Sequence, residues 1–205
     1  MQEIDEQVKA IKQSFRQMMD GATAQSMRQK GLDYHLNWGA TIPRLRSMAD
    51  DLKQSYPLAI ALWKEDVREC KILATMLMPA DEVLPEVIDI WMEQMPTVEI
   101  AEQAAFNLYQ HLPYAAEKAY QWIASPEVLP QICGYHVLSR LFMRGQEPNE
   151  RGINEFVDQT LAAMQDSDAN LRKAAMQAMT HFASLGLLYE RLAQNALHRV
   201  GIQFL

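Results

Sequence analysis

The side chains in this chain that could carry chemistry are few, and their spacing excludes most of what such groups do. Five histidines (His35, His111, His136, His181 and His198) never lie three or four residues from one another or from a carboxylate. The His-Glu-x-x-His and Glu-x-x-His patterns that place zinc ligands on one helix face are therefore missing. No glycine-rich loop offers its amides to a phosphate, and no Gly-x-Ser-x-Gly turn presents a nucleophile. Cys70 and Cys133 have no motif spacing and sit in apolar helical contexts, where a thiol packs as a small hydrophobe. No cofactor or metal is expected from these patterns. What remains is charge. Arg44 and Arg46 carry guanidiniums suited to phosphate, and the adjacent Arg68 and Glu69 read as partners in ion pairs or hydrogen bonds between helices.

The elements that must position these groups are helical throughout. Ile4, Val8, Ile11, Phe15 and Met18 step by three and four, marking an amphipathic first helix that ends near Gly21. A second covers about Thr23 to Lys30. Pro43 and Pro57 open the next two, and a further one runs from Glu65 to Met78. Asp81 is placed to cap a helix with Val83, Leu84, Val87, Ile90 and Trp91 apolar, and Thr97 to cap one burying Ile100, Ala101, Ala104, Ala105 and Leu108. Pro113 and Pro126 begin two more, with Pro130 in the first turn of the latter. After the break Gly145–Gly152 come Ile153 to Met164, Asn170 to Ser184 and Leu187 to Val200. Trp63 and Trp91 fall on apolar faces and read as packing.

Composition agrees with this periodicity. The 205 residues hold only 8 glycines and are 49% hydrophobic, enough for one well-buried domain spanning 1–205. Ala, Leu, Met, Gln and Glu are plentiful, and these lose little rotamer freedom in a helix. About a dozen short helices with tight turns cannot each bury a face alone. They fit an all-α protein in which antiparallel pairs stack into a right-handed α-solenoid, with a globular helical bundle as the alternative. A polar, acidic N-terminus and the absence of a long apolar run argue against a signal peptide or membrane span, so a cytoplasmic monomer is expected.

The net charge of −7 is unevenly spread. Residues 1–54 carry 8 basic and 7 acidic side chains, residues 55–112 carry 3 and 10, and residues 113–205 carry 8 and 9. Affinity for nucleic acid comes largely from Lys and Arg on phosphates, so the acidic middle third is a poor surface for it and would suit a protein partner instead. The basic residues of the flanking thirds could still gather on one face.

The stretch Gly39 to Leu77, with its Pro43 turn, Arg44 and Arg46, Leu62-Trp63 and Arg68-Glu69, resembles the N-terminal part of the AlkD-type DNA alkylation repair proteins. These are HEAT-like helical-repeat proteins whose active members are DNA glycosylases. The similarity begins near Ser26-Met27, covers most of the chain and is best before Pro113. It implies a HEAT-like fold and double-stranded DNA held on a concave basic face, with Arg44, Arg46, Arg140, Arg144, Arg172 and Lys173 as the candidate contacts. Active members carry a Trp-Asp-Leu-Val-Asp segment whose last Asp stabilises the sugar cation formed as the glycosidic bond breaks, which needs a carboxylate beside an oxocarbenium-like centre. The matching segment here is Val98-Glu99-Ile100-Ala101-Glu102. The resemblance thus implies Glu102 as the catalytic acid, one methylene longer, and puts Val98 in place of the tryptophan. A second family pattern, Lys-Ala-x-x-Trp-Ala-x-Arg, matches Lys173 to Thr180, with Gln177 for the tryptophan and Thr180 for the arginine. Three readings follow: a nucleic-acid-binding repeat protein without efficient base excision, an active alkylpurine glycosylase using Glu102, or a protein-binding scaffold.

Overall fold

The computed structural model describes residues 2–202, and every regular element among them is helical. By packing, the chain divides into two compact units, Met1–Pro113 and Tyr114–Leu205. The first holds α1 (Gln2–Phe15), α2 (Gly21–Gln29), α3 (Ile42–Leu52), α4 (Tyr56–Lys64), α5 (Arg68–Leu77), α6 (Pro85–Glu93) and α7 (Val98–Asn107). The second holds α8 (Ala115–Ile123), α9 (Val128–Met143), α10 (Glu150–Ala163), α11 (Ala169–Ala183) and α12 (Leu187–Arg199).

Helix starts follow local chemistry. The side chains of Asp20, Ser55, Thr97, Asn149 and Asp168 accept backbone amides in the first turns of α2, α4, α7, α10 and α11, each satisfying amides that the helix leaves without partners. Proline occupies the first turn of α3, α4 and α6, where its fixed φ helps and its missing N–H costs nothing.

Several helix ends depart from expectation: α1 stops at Phe15, a 3-10 turn covers Arg16–Met18 and Gly21 opens α2 instead of closing α1, while α5 begins at Arg68 with Glu65 as the C-cap of α4. Asp81 does not cap α6; the helix begins at Pro85, with Leu84 as its N-cap. Pro79 and Glu82 close a turn instead, the Glu82 amide reaching the Pro79 carbonyl at 3.2 Å. Pro85 then forces Leu84 into an extended conformation (ψ 150°), so no helix can run through from Asp81. The apolar stripe turns with it. Leu84 and Ile90 are 62% and 50% exposed, and Ile88, Trp91 and Met92 are buried.

Within the first unit, α5 packs against α3, α4 and α7, and α1 lies against α4. Trp63 of α4 stacks on Trp91 of α6 with centroids 4.2 Å apart and planes within 4°. The Trp63 indole N–H donates to Gln94 Oε1 at 3.0 Å, so this aromatic pair is core with its polar edge satisfied. Within the second unit, α9 packs on α8 and on α11, and α11 on α10 and α12. The α8–α9 crossing depends on Gly134: a Cβ there would lie 2.9 Å from the Ala119 carbonyl oxygen. Both cysteines are buried and unbridged; burial pushes the Cys70 thiol up to about 12, which leaves it an inert core residue.

Candidate nucleic-acid interface

The arrangement of α7, which carries the candidate acid, rests on a buried ion pair. Arg68 opens α5 and is only 1% exposed, and its neighbour Glu69 is fully buried. The Arg68 guanidinium donates from Nε and Nη2 to the two carboxylate oxygens of Glu99, at 2.8 and 2.6 Å. Its Nη1 donates to Glu69 Oε1 and to the Ala40 carbonyl. Glu69 in turn accepts the amides of Trp38 and Ala40, both at 3.2 Å. Tyr34 adds a hydroxyl donated to Glu99 at 2.6 Å.

A planar guanidinium that commits four of its five N–H donors in this way is the favourable case for a buried charge. Burial pushes Glu99 upward, but the hydrogen bonds and charge of Arg68, with the Tyr34 hydroxyl, outweigh it and hold the carboxyl below its ordinary range. Burial likewise raises the Tyr34 phenol, helped by Glu99, so it remains a donor. The loop that meets this pair needs Gly39, whose φ is +74° and where a Cβ would lie 2.2 Å from the Asp20 carbonyl oxygen. A side chain at that position is both strained and blocked.

The two acids of Val98–Glu102 therefore have different fates. Glu99 is pinned to Arg68 across the start of α7, while Glu102 is exposed one turn further on. Phe106 follows Glu102 by four residues, so the two share a face of α7. The guanidinium of Arg46, from α3, sits over the Phe106 ring 5.0 Å from its centroid, and its Nη2 reaches Asn107 Oδ1 at 3.4 Å. Acid, ring and guanidinium thus come from two helices into one patch of the first unit.

Arg44 does not join them. Two residues apart on α3, Arg44 and Arg46 point to opposite sides, and Arg44 lies instead where its charge helps depress Asp20, the N-cap of α2, after the hydrogen bonds from Thr23. In the second unit, Ser139 Oγ of α9 and His181 Nδ1 of α11 are 2.6 Å apart. Burial and the charge of Arg140 both lower His181, which keeps that imidazole neutral near pH 7 and places Arg140 at this end of the pair. Arg144 is the C-cap residue of α9. Arg172 spends its Nη1 on the Asp166 and Ser167 carbonyls, at 2.7 and 2.8 Å, before α11 begins. Lys173, Gln177 and Thr180 are all exposed along one face of α11, with Lys173 about two turns, roughly 12 Å, from the His181 end.

Sequence reasoning missed Phe106 and Tyr34. The i, i+4 spacing of Phe106 from Glu102 was the available signal for the first; nothing local marks Tyr34, which meets Glu99 across 65 positions of chain. Among the described residues no three His, Cys, Asp or Glu side chains are grouped so as to hold a metal ion. No helix among them is long and apolar enough to cross a membrane.

Comparison with known proteins adds two findings. The model of the DNA alkylation repair enzyme family matches residues 11–183. A solved structure, described as a new family of proteins related to the HEAT-like repeat DNA glycosylases with affinity for branched DNA structures, superposes with a TM-score of 0.84 at 15% identity, covering 94% of this chain and 82% of that one. That likeness assigns the HEAT-like helical-repeat fold. No curated protein sequence matches.

Proposed function

The chain belongs to the DNA alkylation repair enzyme family, and from that premise we propose that it binds double-stranded DNA without efficient excision of alkylated bases. One observation carries this reading: the ring nearest Glu102 on its own helix face is covered by the Arg46 guanidinium. An aromatic face attracts a cationic methylated base because its π cloud is electron-rich. Here that face is already occupied by a resident cation, which would repel the base and attract a phosphate. Val98 and Gln177, at positions where the resemblance implies tryptophans, supply no replacement ring. Arg46 is the proposed phosphate contact of the first unit and Arg140, Arg144 and Lys173 are those of the second; Arg44, on the other side of α3, and Arg172, held by its own preceding turn, are left out. The likeness to a protein described as having affinity for branched DNA structures adds junction DNA to the ligands worth testing.

Excision by Glu102 is the second reading, and the exposure of its carboxylate favours it. A lengthened acid at a charge-stabilising position costs orders of magnitude in rate when it is misplaced by about 1 Å. Incubation with duplex DNA containing methylated purines, with Glu102→Gln beside the wild type, separates the two. Base release at background in both proteins is expected; release that depends on Glu102 would replace the binding reading with the enzymatic one. Duplex binding should weaken steeply as salt rises, with a log–log slope near −0.9 for each phosphate neutralised. No binding even at low salt would leave the protein-scaffold reading.

A further inference from the structure

A second feature of the first unit lies on other helices. Between α1 and α4 is a hollow of about 810 Å³, within the size range of ligand sites. Val8, Leu36, Trp38 and Ile60 form its apolar lining. Lys9, Arg16 and Lys64 stand exposed at its rim, and Lys12 bridges it by pairing with Glu65 at 2.5 Å. With that pair neutralised, three cations face a single remaining acid, Asp5. This runs against its surroundings, since residues 1–113 as a whole hold 11 basic and 17 acidic side chains.

We propose that this hollow binds an unpaired nucleotide of a single-stranded DNA segment, its base against the Trp38–Ile60 lining and its neighbouring phosphates on Lys9, Arg16 and Lys64. The proposal rests on the DNA-binding reading above and assigns a site separate from the α3–α7 patch. A positive groove with an aromatic platform is the general solution for a single strand, because every base has a π face. The wall carrying the ring is prebuilt. The Trp38 amide donates to the buried Glu69, its carbonyl accepts the Asp20 amide at 2.9 Å, and the Leu36 carbonyl accepts the Arg68 amide at 3.0 Å. Little ordering is then needed on binding. The spread of charge favours a strand over a single anionic head group: Lys9 lies on α1 and Arg16 just past its end, seven residues on and about 10 Å along the same axis, which suits successive phosphates.

The test is fluorescence anisotropy of a labelled short oligothymidylate with the full chain, compared with Lys9→Ser/Arg16→Ser/Lys64→Ser and with Arg46→Ala. All four positions are exposed, and circular dichroism melting checks that each variant folds. The triple variant should bind the oligonucleotide more than about tenfold more weakly at moderate salt while keeping duplex binding, and Arg46→Ala should do the reverse. An iodouracil-substituted strand should photocrosslink to the peptide containing Trp38. A smaller loss in the triple variant, an equal loss of duplex binding, or competition by free thymidine monophosphate as effective as by the strand would overturn the proposal. If the wild type binds duplex and not the oligonucleotide, this site fails alone. If it binds the oligonucleotide and not duplex, the α3–α7 reading fails and this one stands.

Discussion

Residues 1–113 bury an ion pair, Arg68 with Glu69 and the half-buried Glu99, whereas residues 114–205 bury a cluster of rings. Phe156 is fully buried there, with Phe142, Phe182 and Tyr135 ring centroids 5.1, 5.0 and 6.4 Å away and Tyr189 against Phe182. The rings draw most of their stability from buried apolar area, which has no direction, and only a modest part from edge-to-face geometry. A buried ion pair adds little net stability over an apolar replacement, because desolvation cancels most of the attraction. What it does supply is direction. Five donor–acceptor distances fix where α7 begins relative to α5 and the loop 37–40. The candidate acid sits beside the part of the molecule that is held by geometry, and the difference between the units teaches why: rings give stability, while charge gives position.

The largest expected effects test that contrast directly. Arg68→Met strands Glu69 and Glu99 without their cation and should cost about 3–5 kcal/mol; Phe156→Ala should cost a similar amount by leaving a cavity. Urea unfolding measures both. Only the first should be rescued by a compensating change: Arg68→Met with Glu69→Gln and Glu99→Gln removes every stranded charge and should recover much of the loss. No recovery would mean that the ion pair stabilises as well as positions, and the contrast would break.

Gly134→Ala comes next, at about 1–3 kcal/mol, since the new methyl meets the Ala119 carbonyl and the α8–α9 backbone must separate. The loss should appear as faster amide exchange in α8 and α9, with α5 and α7 unchanged. Equal acceleration in both units would show that they unfold together.

The smallest effect sharpens the comparison through acid. Glu99 has a carboxyl held below its unfolded value of about 4.5. Its contribution is therefore fully present above that value and is lost as pH falls through the lower folded value. Protection of the amides in the first turn of α7, taken relative to their intrinsic exchange rates, should fall below about pH 4.5, and Glu99→Gln should flatten that dependence, while the ring cluster around Phe156 responds to neither. An unchanged acid profile in Glu99→Gln would shift the sensitivity to another carboxylate.

The helices were legible in the sequence because their causes are local. Thr97 caps α7 and Ile100, Ala101, Ala104 and Ala105 are buried, as the spacing predicts. The starts of α5, α6 and α10 each fall three residues from where the spacing puts them; at α6 the prolines Pro79 and Pro85 outweigh the capping side chain of Asp81. The candidate interface was only partly legible. Glu102 and Lys173 could be named from motif positions, and both are exposed. The divergence of Arg44 from Arg46 was implicit in their spacing. That Arg172 is occupied by its own preceding turn was not, since a carbonyl acceptor leaves no mark on the pattern of side chains.

The sequence alone determined the all-α class and most helix boundaries to within a few residues, because caps, prolines and 3.6-residue periodicity act over one or two turns; the family came from the resemblance of its motifs. Only the tertiary structure decided which charges are structural. Arg68 and Glu69 look like any surface pair in one dimension, yet both are buried, and their partners lie about 30 residues away at Trp38, Ala40 and Glu99. The meeting of Arg46 with Phe106, and the placing of Trp38 in one hollow with Lys9, Arg16 and Lys64, is likewise set by which helices pack together. That choice depends on the summed burial of whole faces, and no single residue's neighbours along the chain record it.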